Sequence, residues 1–249
     1  MPAGWHERWL ENAARRGVDA ATVDDVVRRH GIGPDDVAVL EGLDELTDPR
    51  GASFFVLPDD MGAAQVRRAV LMTCVVNAGT GYGATAAVND VGETPYSAAE
   101  VQRVVDRQAA NHWTYDRLVP VVHRAGGRMV TTPHGTLMGL GGNRVTELFA
   151  QRGGTTYGDL FMLNIRRVGD PVAELREMVR SGRSRHQRPD GTTYAGRTDL
   201  VRLLHHEERH SQQWAEAGPV RFVASYVWER VRGRNDTEEG AGLRDGGYR

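Results

Sequence analysis

The chain has 249 residues, an apolar content of 40%, and 31 basic against 33 acidic side chains, which leaves a formal net charge of -2. This length and composition suit a globular protein with a substantial core. Because no basic excess exists to neutralise phosphates, the charge balance argues against binding to nucleic acid or to a membrane surface.

Residue types with special chemistry are few. Every basic residue is arginine, which excludes lysine chemistry, and Cys74 is the only cysteine, which excludes an internal disulfide and a cysteine-based zinc site. The first eight residues lack the apolar core of a signal peptide, and no eighteen consecutive residues are apolar. We therefore expect a cytoplasmic protein without membrane insertion. Export without a cleaved signal is the alternative.

The pattern of residues 4–45 predicts three short helices, because glycines interrupt it repeatedly. Trp5, Trp9 and Leu10 would form an apolar face that packs on the rest of the protein. The sequence Asp-Pro-Arg-Gly at 48–51 then predicts a turn or linker.

A dense apolar run over residues 61–77 predicts a buried helix, with Cys74 as a structural thiol. Gly79, Gly81 and Gly83 follow it and suggest a nucleotide-binding loop. That motif requires a strand before the glycines. Since a helix precedes them here, we predict a plain flexible loop.

Two more helices are predicted before the glycine pair at 126–127. Ser97 and Glu100 form a capping box that begins the first of them. His112 and His123 fall in the second, where we expect them at the surface or the core edge and away from any metal.

Strand signals replace helical ones after residue 127. Residues 128–132 and 136–140 flank a Pro-His-Gly turn and predict a β-hairpin. We place a domain boundary here, between a mainly helical region of unknown role at 1–126 and a second domain at 127–249.

Three segments follow the hairpin. Residues 153–164 predict one further strand, and residues 171–180 predict a short helix. Residues 181–197 are rich in Gly, Arg, Ser and Pro, which predicts an exposed loop.

The next helix, which begins at Asp199, contains the pattern His-Glu-x-x-His at His206, Glu207 and His210. Residues four apart share a helix face, so the two imidazoles can bind one metal ion, with Glu207 beside it. Zinc suits two neutral histidines and needs only one more protein ligand in a catalytic site. His205 would lie on a neighbouring face about 100° away.

Two features follow this helix. Gly218-Pro219 makes a short corner, and the proline begins a second helix that runs to Glu229 and pairs closely with the first. The segment 235–248 is rich in glycine and contains a compact acidic cluster.

This part of the chain resembles the small bacterial zincin-like domains with zinc-metallopeptidase motifs, over roughly residues 127–249. The segment 155–158, Thr-Thr-Tyr-Gly, looks like the edge strand above the metal in such domains. The other matching residues are His206, Glu207, His210, Gln213-Trp214, Gly218-Pro219, Phe222, Tyr226, Asn235, Glu238 and Ala241.

The resemblance implies an α+β fold: a zincin-like C-terminal domain with a small antiparallel or mixed sheet, a metal-binding helix and a following helix, after a mainly helical N-terminal region. It also implies Glu238 as the third metal ligand. A carboxylate suits zinc. Glu229 and Glu239 stay open as alternatives.

The function expected from these residues is a zinc-dependent metallopeptidase or related amide hydrolase acting on a peptide or protein. Glu207 would be the general base toward metal-activated water. Residues 155–163 could hold the peptide by β-augmentation, and Tyr157, Tyr226 and Tyr248 are candidates for stabilising the oxyanion. Two alternatives are a non-catalytic, zinc-stabilised binding or structural module and a secreted effector or toxin component. The sequence does not indicate an oligomeric state.

Overall fold

A computed structural model describes residues 4–142 and 154–248, which form an α+β fold with a mixed sheet. Short 3₁₀ segments lie at Ala38–Leu40 and Tyr82–Val88, and a π-helical turn lies at Thr114–Leu118. The α-helices are α1 (Trp5–Arg15), α2 (Ala20–His30), α3 (Pro34–Val37), α4 (Ala63–Asn77), α5 (Ala98–Ala110), α6 (Val119–Arg124), α7 (Pro171–Ser181), α8 (Leu200–Ala217), α9 (Pro219–Val231) and α10 (Asp236–Ala241).

The described strands form two sheets. The larger has the order β1-β2-β3-β4-β6-β5, in which β4 and β6 are parallel and the other neighbours are antiparallel. The smaller is the antiparallel pair β7-β8. Their bounds are β1 (Asp44–Thr47), β2 (Ser53–Val56), β3 (Arg128–Thr131), β4 (Leu137–Leu140), β5 (Gly154–Tyr157), β6 (Leu160–Leu163), β7 (Arg183–Gln187) and β8 (Thr193–Asp199).

The helices of the first half follow the sequence pattern. Helices α1, α2 and α3 are the three expected within residues 4–45, and Trp9 is fully buried in the core beneath them. Helix α4 holds Cys74 as a buried thiol. Ser97 caps α5 by accepting a hydrogen bond from the Glu100 backbone N–H at 3.2 Å. The helix expected after α5 is divided into the π-helical turn and α6.

The large sheet crosses the boundary predicted between residues 126 and 127. Strand β2 pairs with β3, with Val56 opposite Val130, and β1 extends the sheet beyond β2. One core also joins Trp9 to Met162. The predicted boundary therefore falls inside one sheet and one core. The reason is that the β1–β2 hairpin, which precedes the boundary, pairs with β3, which follows it.

Two predicted segments differ from the structure. Residues 154–164, the described part of the strand predicted at 153–164, contain a hairpin of β5 and β6. Its turn contains Gly158 at φ +59°. A Cβ at this position would lie 2.1 Å from Thr114 Oγ1, so only glycine fits. The expected loop at 181–197 is the β7–β8 hairpin, turned at Asp190-Gly191. Its half-exposed, arginine-rich strands lack the apolar alternation that marks a strand in sequence.

Helices α8 and α9 begin where the sequence predicted, whereas α10 lies in a segment that was predicted only as glycine-rich and acidic. The Asp199 carboxylate accepts hydrogen bonds from the backbone N–H groups of Val201 and Arg202 and so caps α8. The buried residues Leu203 and Leu204 pack α8 onto the sheet. No helix within 4–142 or 154–248 has the length and apolar character needed to cross a membrane.

Candidate metal centre

Helix α8 presents His206, Glu207 and His210 together, as the four-residue spacing requires. All three residues are buried, with 1%, 7% and 8% of their surface exposed. The Asp199 cap and the buried leucines at 203 and 204 set the orientation of α8, in which its polar face points toward this cluster.

Glu238 completes a cluster with the two histidines. His206 Nε2 lies 3.1 Å from His210 Nε2, and Glu238 Oε2 lies 3.5 and 3.4 Å from these two nitrogens. Ligand atoms about 2.0–2.2 Å from a tetrahedral zinc ion would be about 3.3 Å from one another. The three separations therefore match three edges of one zinc coordination tetrahedron. Glu238 Oε2 is buried and has no hydrogen-bond partner among the described residues, as expected of an atom aimed at a cation.

The far nitrogen of each imidazole is engaged by the protein. His206 Nδ1 lies 2.9 Å from the carbonyl oxygen of Gly242, and His210 Nδ1 lies 2.8 Å from Gln213 Oε1. An Nδ1–H that donates to an oxygen fixes the tautomer and leaves the Nε2 lone pair for a metal. Both rings are thus oriented for Nε2 coordination.

Helix α10 carries Glu238 back onto α8. Gln213 Nε2 donates to the Thr237 carbonyl at 3.0 Å, and Arg209 Nε donates to the Gly240 carbonyl at 2.8 Å. Because these bonds lie on both sides of Glu238, they bring its carboxylate to the two histidines.

The other two acidic residues considered for this position lie elsewhere. The Glu229 carboxylate accepts two hydrogen bonds at 2.9 Å, from the backbone N–H and the hydroxyl of Thr237, and so caps α10. Glu239 is exposed. Within the described part of the chain, His206, His210 and Glu238 are the group whose ligand atoms are close enough to share a metal ion.

The charges at the cluster influence one another. Burial opposes ionisation of Glu238, but its close approach to the imidazoles of His206 and His210 outweighs burial and lowers its pKa. Burial also disfavours the imidazolium of His206, yet Glu238 and Glu207 raise its pKa above the ordinary value. The site therefore attracts positive charge.

Thr156 holds Glu207 in place. Its hydroxyl donates to Glu207 Oε2 at 2.6 Å, and its carbonyl accepts from Trp214 Nε1 at 2.9 Å. Thr156 lies on β5, so these two bonds join the end strand of the sheet to α8. The sequence placed this threonine on an edge strand but did not indicate its contact with Glu207.

His205 lies outside the cluster. Its ring packs on Tyr82 with 3.6 Å between centroids, and Tyr82 in turn donates to the Asp245 carboxylate. His112 and His123, as expected, also lie outside the cluster.

The cluster lies at the base of a small aromatic cleft of about 180 Å³. Trp214 and Phe222 stack with 4.2 Å between ring centroids. Tyr157, Tyr226 and Tyr248 all line the cleft. The Tyr248 ring centre lies 5.7 Å from that of His206, and burial, followed by the charges of Glu238 and Glu207, raises the pKa of its hydroxyl. The Tyr248 ring therefore lies close to the imidazole of a cluster histidine.

A buried ionic network around Asp159 packs against α8 at Ser211. The Asp159 carboxylate accepts from Asn111 Nδ2 at 2.9 Å, from the Tyr115 hydroxyl at 2.8 Å and from the Ser211 hydroxyl. Arg107 Nε lies 3.3 Å from the same carboxylate. The network ties α8 to α5 and to the β5–β6 turn.

Arg107 extends this network to Glu208, with which it forms a second ion pair. Burial alone would raise the pKa of Glu208, but Arg107 and Arg103 hold it at about 2. These partners are far apart in sequence, so no local pattern indicated them.

The fold and the cluster define a class of site: a helix-borne His-Glu-x-x-His group completed by a glutamate from a later helix. Comparison of the chain with protein-family models, curated proteins and solved structures finds no match.

Proposed function

We propose that the protein is a zincin-like, zinc-dependent metallopeptidase or related amide hydrolase. The observation that carries this proposal is the convergence of His206, His210 and Glu238, whose ligand atoms lie within 4.8 Å of one another, with Glu207 beside them. Two imidazole nitrogens and one carboxylate oxygen are the donor set of catalytic zinc sites with an open fourth position. A zinc ion held there would supply Lewis-acid chemistry, which polarises a carbonyl group and acidifies water.

In this proposal Glu207 is the proton carrier. Its carboxylate takes a proton from the attacking water and later delivers it to the leaving amine nitrogen. The Thr156 hydroxyl occupies Glu207 Oε2 and so leaves the other oxygen, Oε1, for the transferred proton. A peptide bound in the aromatic cleft would displace water from it, which would strengthen the charge interactions inside.

The proposed substrate is a polypeptide. β5 is the last of the described strands in the large sheet, and its Thr156 contacts Glu207. A peptide added beside β5 would have its backbone amides next to the cluster. The cleft of about 180 Å³ is smaller than the roughly 300–1,000 Å³ typical of small-molecule pockets, so it suits a side chain and a stretch of backbone.

A structural zinc module is the second candidate. It would share the three ligands, but structural zinc sites are usually closed by four protein ligands. Among the described residues only three converge, and Glu207 stands beside them. These two features favour the hydrolase.

The decisive experiment combines metal content with peptide digestion. We expect about one zinc ion per wild-type chain, loss of it in H206A and H210A, and retention of it in E207Q. Turnover of a peptide library by E207Q should fall by roughly 10² to 10⁴, because the amide cannot accept a proton.

E216Q is the matched control, since Glu216 is an exposed acid on the same helix; it should keep both zinc and turnover. Full zinc content in both H206A and H210A would rule out the metal site. Bound zinc with no chelator-sensitive cleavage would favour the structural module.

A further inference from the structure

A second cleft, of about 710 Å³, lies between α1, the start of α2 and the glycine-rich loop after α4. It shares no lining residue with the aromatic cleft above the metal cluster. Its volume falls in the range of about 300–1,000 Å³ that is typical of small-molecule sites. The proposed peptidase activity gives it no role.

Three arginines line this cleft, at positions 15, 16 and 50. Arg50 is paired with Asp199 at 2.8 Å. Among the described residues, Arg15 donates to two neutral oxygens, those of the Asn12 side chain and the Gly51 carbonyl. Neither Arg15 nor Arg16 forms an ion pair with any other described residue, although the charges of Asp48 and Glu93 act on Arg16.

Arg16 is the more constrained of the two. Its Nε donates to the Asn77 carbonyl at 3.0 Å, whereas its Nη2 is buried without a hydrogen-bond partner among the described residues. A buried donor of a charged group is costly to leave without an acceptor. Burial, followed by the neighbouring charge of Arg15, lowers the pKa of Arg16. An anion bound beside Arg16 would accept a hydrogen bond from Nη2 and would also offset the repulsion between the charges of Arg15 and Arg16.

The glycine loop makes room for this guanidinium. Gly81 adopts φ +75°, and a Cβ there would lie 2.3 Å from Arg16 Nη1. A Cβ at Gly79 would lie 3.5 Å from Arg16 Cδ. Glycines that the sequence marked only as a flexible loop therefore form the wall against which Arg16 packs.

Two acidic residues also line the cleft and set the balance of charge. Asp19 caps α2 by accepting from the Thr22 N–H at 2.7 Å, so one of its oxygens is already engaged. Glu93 packs beside Gly83 and acts on Arg16 through its charge. Glu93 should therefore weaken an anion's binding without removing the site.

We propose that this cleft binds the phosphate group of a small molecule, with the guanidinium groups of Arg15 and Arg16 as its donors. Guanidinium presents N–H groups in a planar fork that matches phosphate oxygens and remains charged at all physiological pH values. Two such groups lining one cleft suit a dianion better than a single carboxylate.

The test is isothermal titration of the full-length protein with inorganic phosphate, with sodium chloride added to hold ionic strength constant. Wild type should bind saturably, and R16Q should bind at least about tenfold more weakly, as expected for loss of a charge-assisted hydrogen bond. E93Q should bind more tightly. R180Q is the matched control, because Arg180 is exposed and outside the cleft; it should bind as wild type does.

A second pair of variants keeps every arginine in place. Ala84 is an exposed residue of the cleft wall, so A84E adds a negative charge there, while A84Q adds similar bulk without charge. A84E should weaken phosphate binding more than A84Q. Equal affinities in wild type, R16Q and A84E would overturn the proposal, because phosphate would then bind elsewhere, for example at a metal. Saturable binding of succinate without binding of phosphate would overturn the assignment of phosphate.

Discussion

The hydroxyl of Thr156 donates a 2.6 Å hydrogen bond to the carboxylate of Glu207. Thr156 lies on the end strand of the large sheet and Glu207 on the helix that carries the histidine pair. The strand proposed to hold the substrate is thus bonded directly to the proposed general base. This bond holds the Glu207 carboxylate at a fixed position relative to β5, and catalysis by a positioned proton acceptor requires such a fixed position.

The first prediction concerns this bond. T156V should keep zinc and fold but lower the turnover of peptides about 10- to 100-fold, because hydrogen bonds to charged groups contribute about 1.5–3 kcal/mol. T156S, which restores the hydroxyl, should recover most of the loss. Turnover by T156V equal to that of the wild type would show that the threonine does not position Glu207.

The second prediction distinguishes the three acidic residues. E238Q should weaken zinc binding strongly, since its carboxylate lies 3.4–3.5 Å from both histidine Nε2 atoms. E239Q should leave zinc affinity unchanged because Glu239 is exposed. E229Q should act mainly on thermal stability, by weakening the cap of α10. Competition with a fluorescent chelator measures the three affinities, and a larger loss in E229Q than in E238Q would contradict the assignment.

The third prediction concerns the buried ionic network around Asp159. Asp159 is fully buried and accepts hydrogen bonds from three side chains while it pairs with Arg107. D159N should lower the free energy of unfolding by about 3–5 kcal/mol, the range for breaking a buried ion pair. Y115F removes one of these bonds and should cost about 1 kcal/mol. Urea unfolding measures both, and near-equal losses would show that the charge of Asp159 contributes little.

The fourth prediction concerns acid. His134 is buried, neither ring nitrogen has a partner among the described residues, and burial, followed by His205, holds its pKa well below 6.5. As pH falls through about 6.5, His134 of the unfolded chain binds a proton, whereas His134 of the folded protein stays neutral. The resulting stability is therefore present above that pH and is lost as pH falls below it, with a slope approaching about 1.4 kcal/mol per pH unit.

H134F should unfold with a shallower pH dependence than the wild type between pH 7 and pH 5, measured by urea titration in the presence of chelator. H112Q is the control, because His112 is exposed. An unchanged slope in H134F would show that the acid sensitivity arises at other groups.

The candidate metal cluster shows how much of a site a local sequence pattern can predict. His206, Glu207 and His210 could be assigned from spacing alone, because four residues make about one helical turn. Glu238 came only from a resemblance, and Glu229 and Glu239 were alternatives of the same chemistry. The fold distinguishes the three glutamates, because α10 packs back onto α8 and brings Glu238 to the two histidines. The hydrogen bond from Gln213 to the Thr237 carbonyl is one of the contacts that hold α10 there. The free energy that these bonds contribute depends on the arrangement of all three helices, α8, α9 and α10.

The sequence by itself determined the helices with strong caps and periodic apolar faces, the β3–β4 hairpin, the buried Cys74 and the histidine pair, because each depends on residues a few positions apart. Only the tertiary structure decided that β1 and β2 complete the sheet, that Thr156 contacts Glu207, that Asp159 meets Arg107 and that Arg16 lies against Gly81. Those contacts join residues from about 50 to more than 70 positions apart, and their stability arises from burial that no short segment can achieve alone.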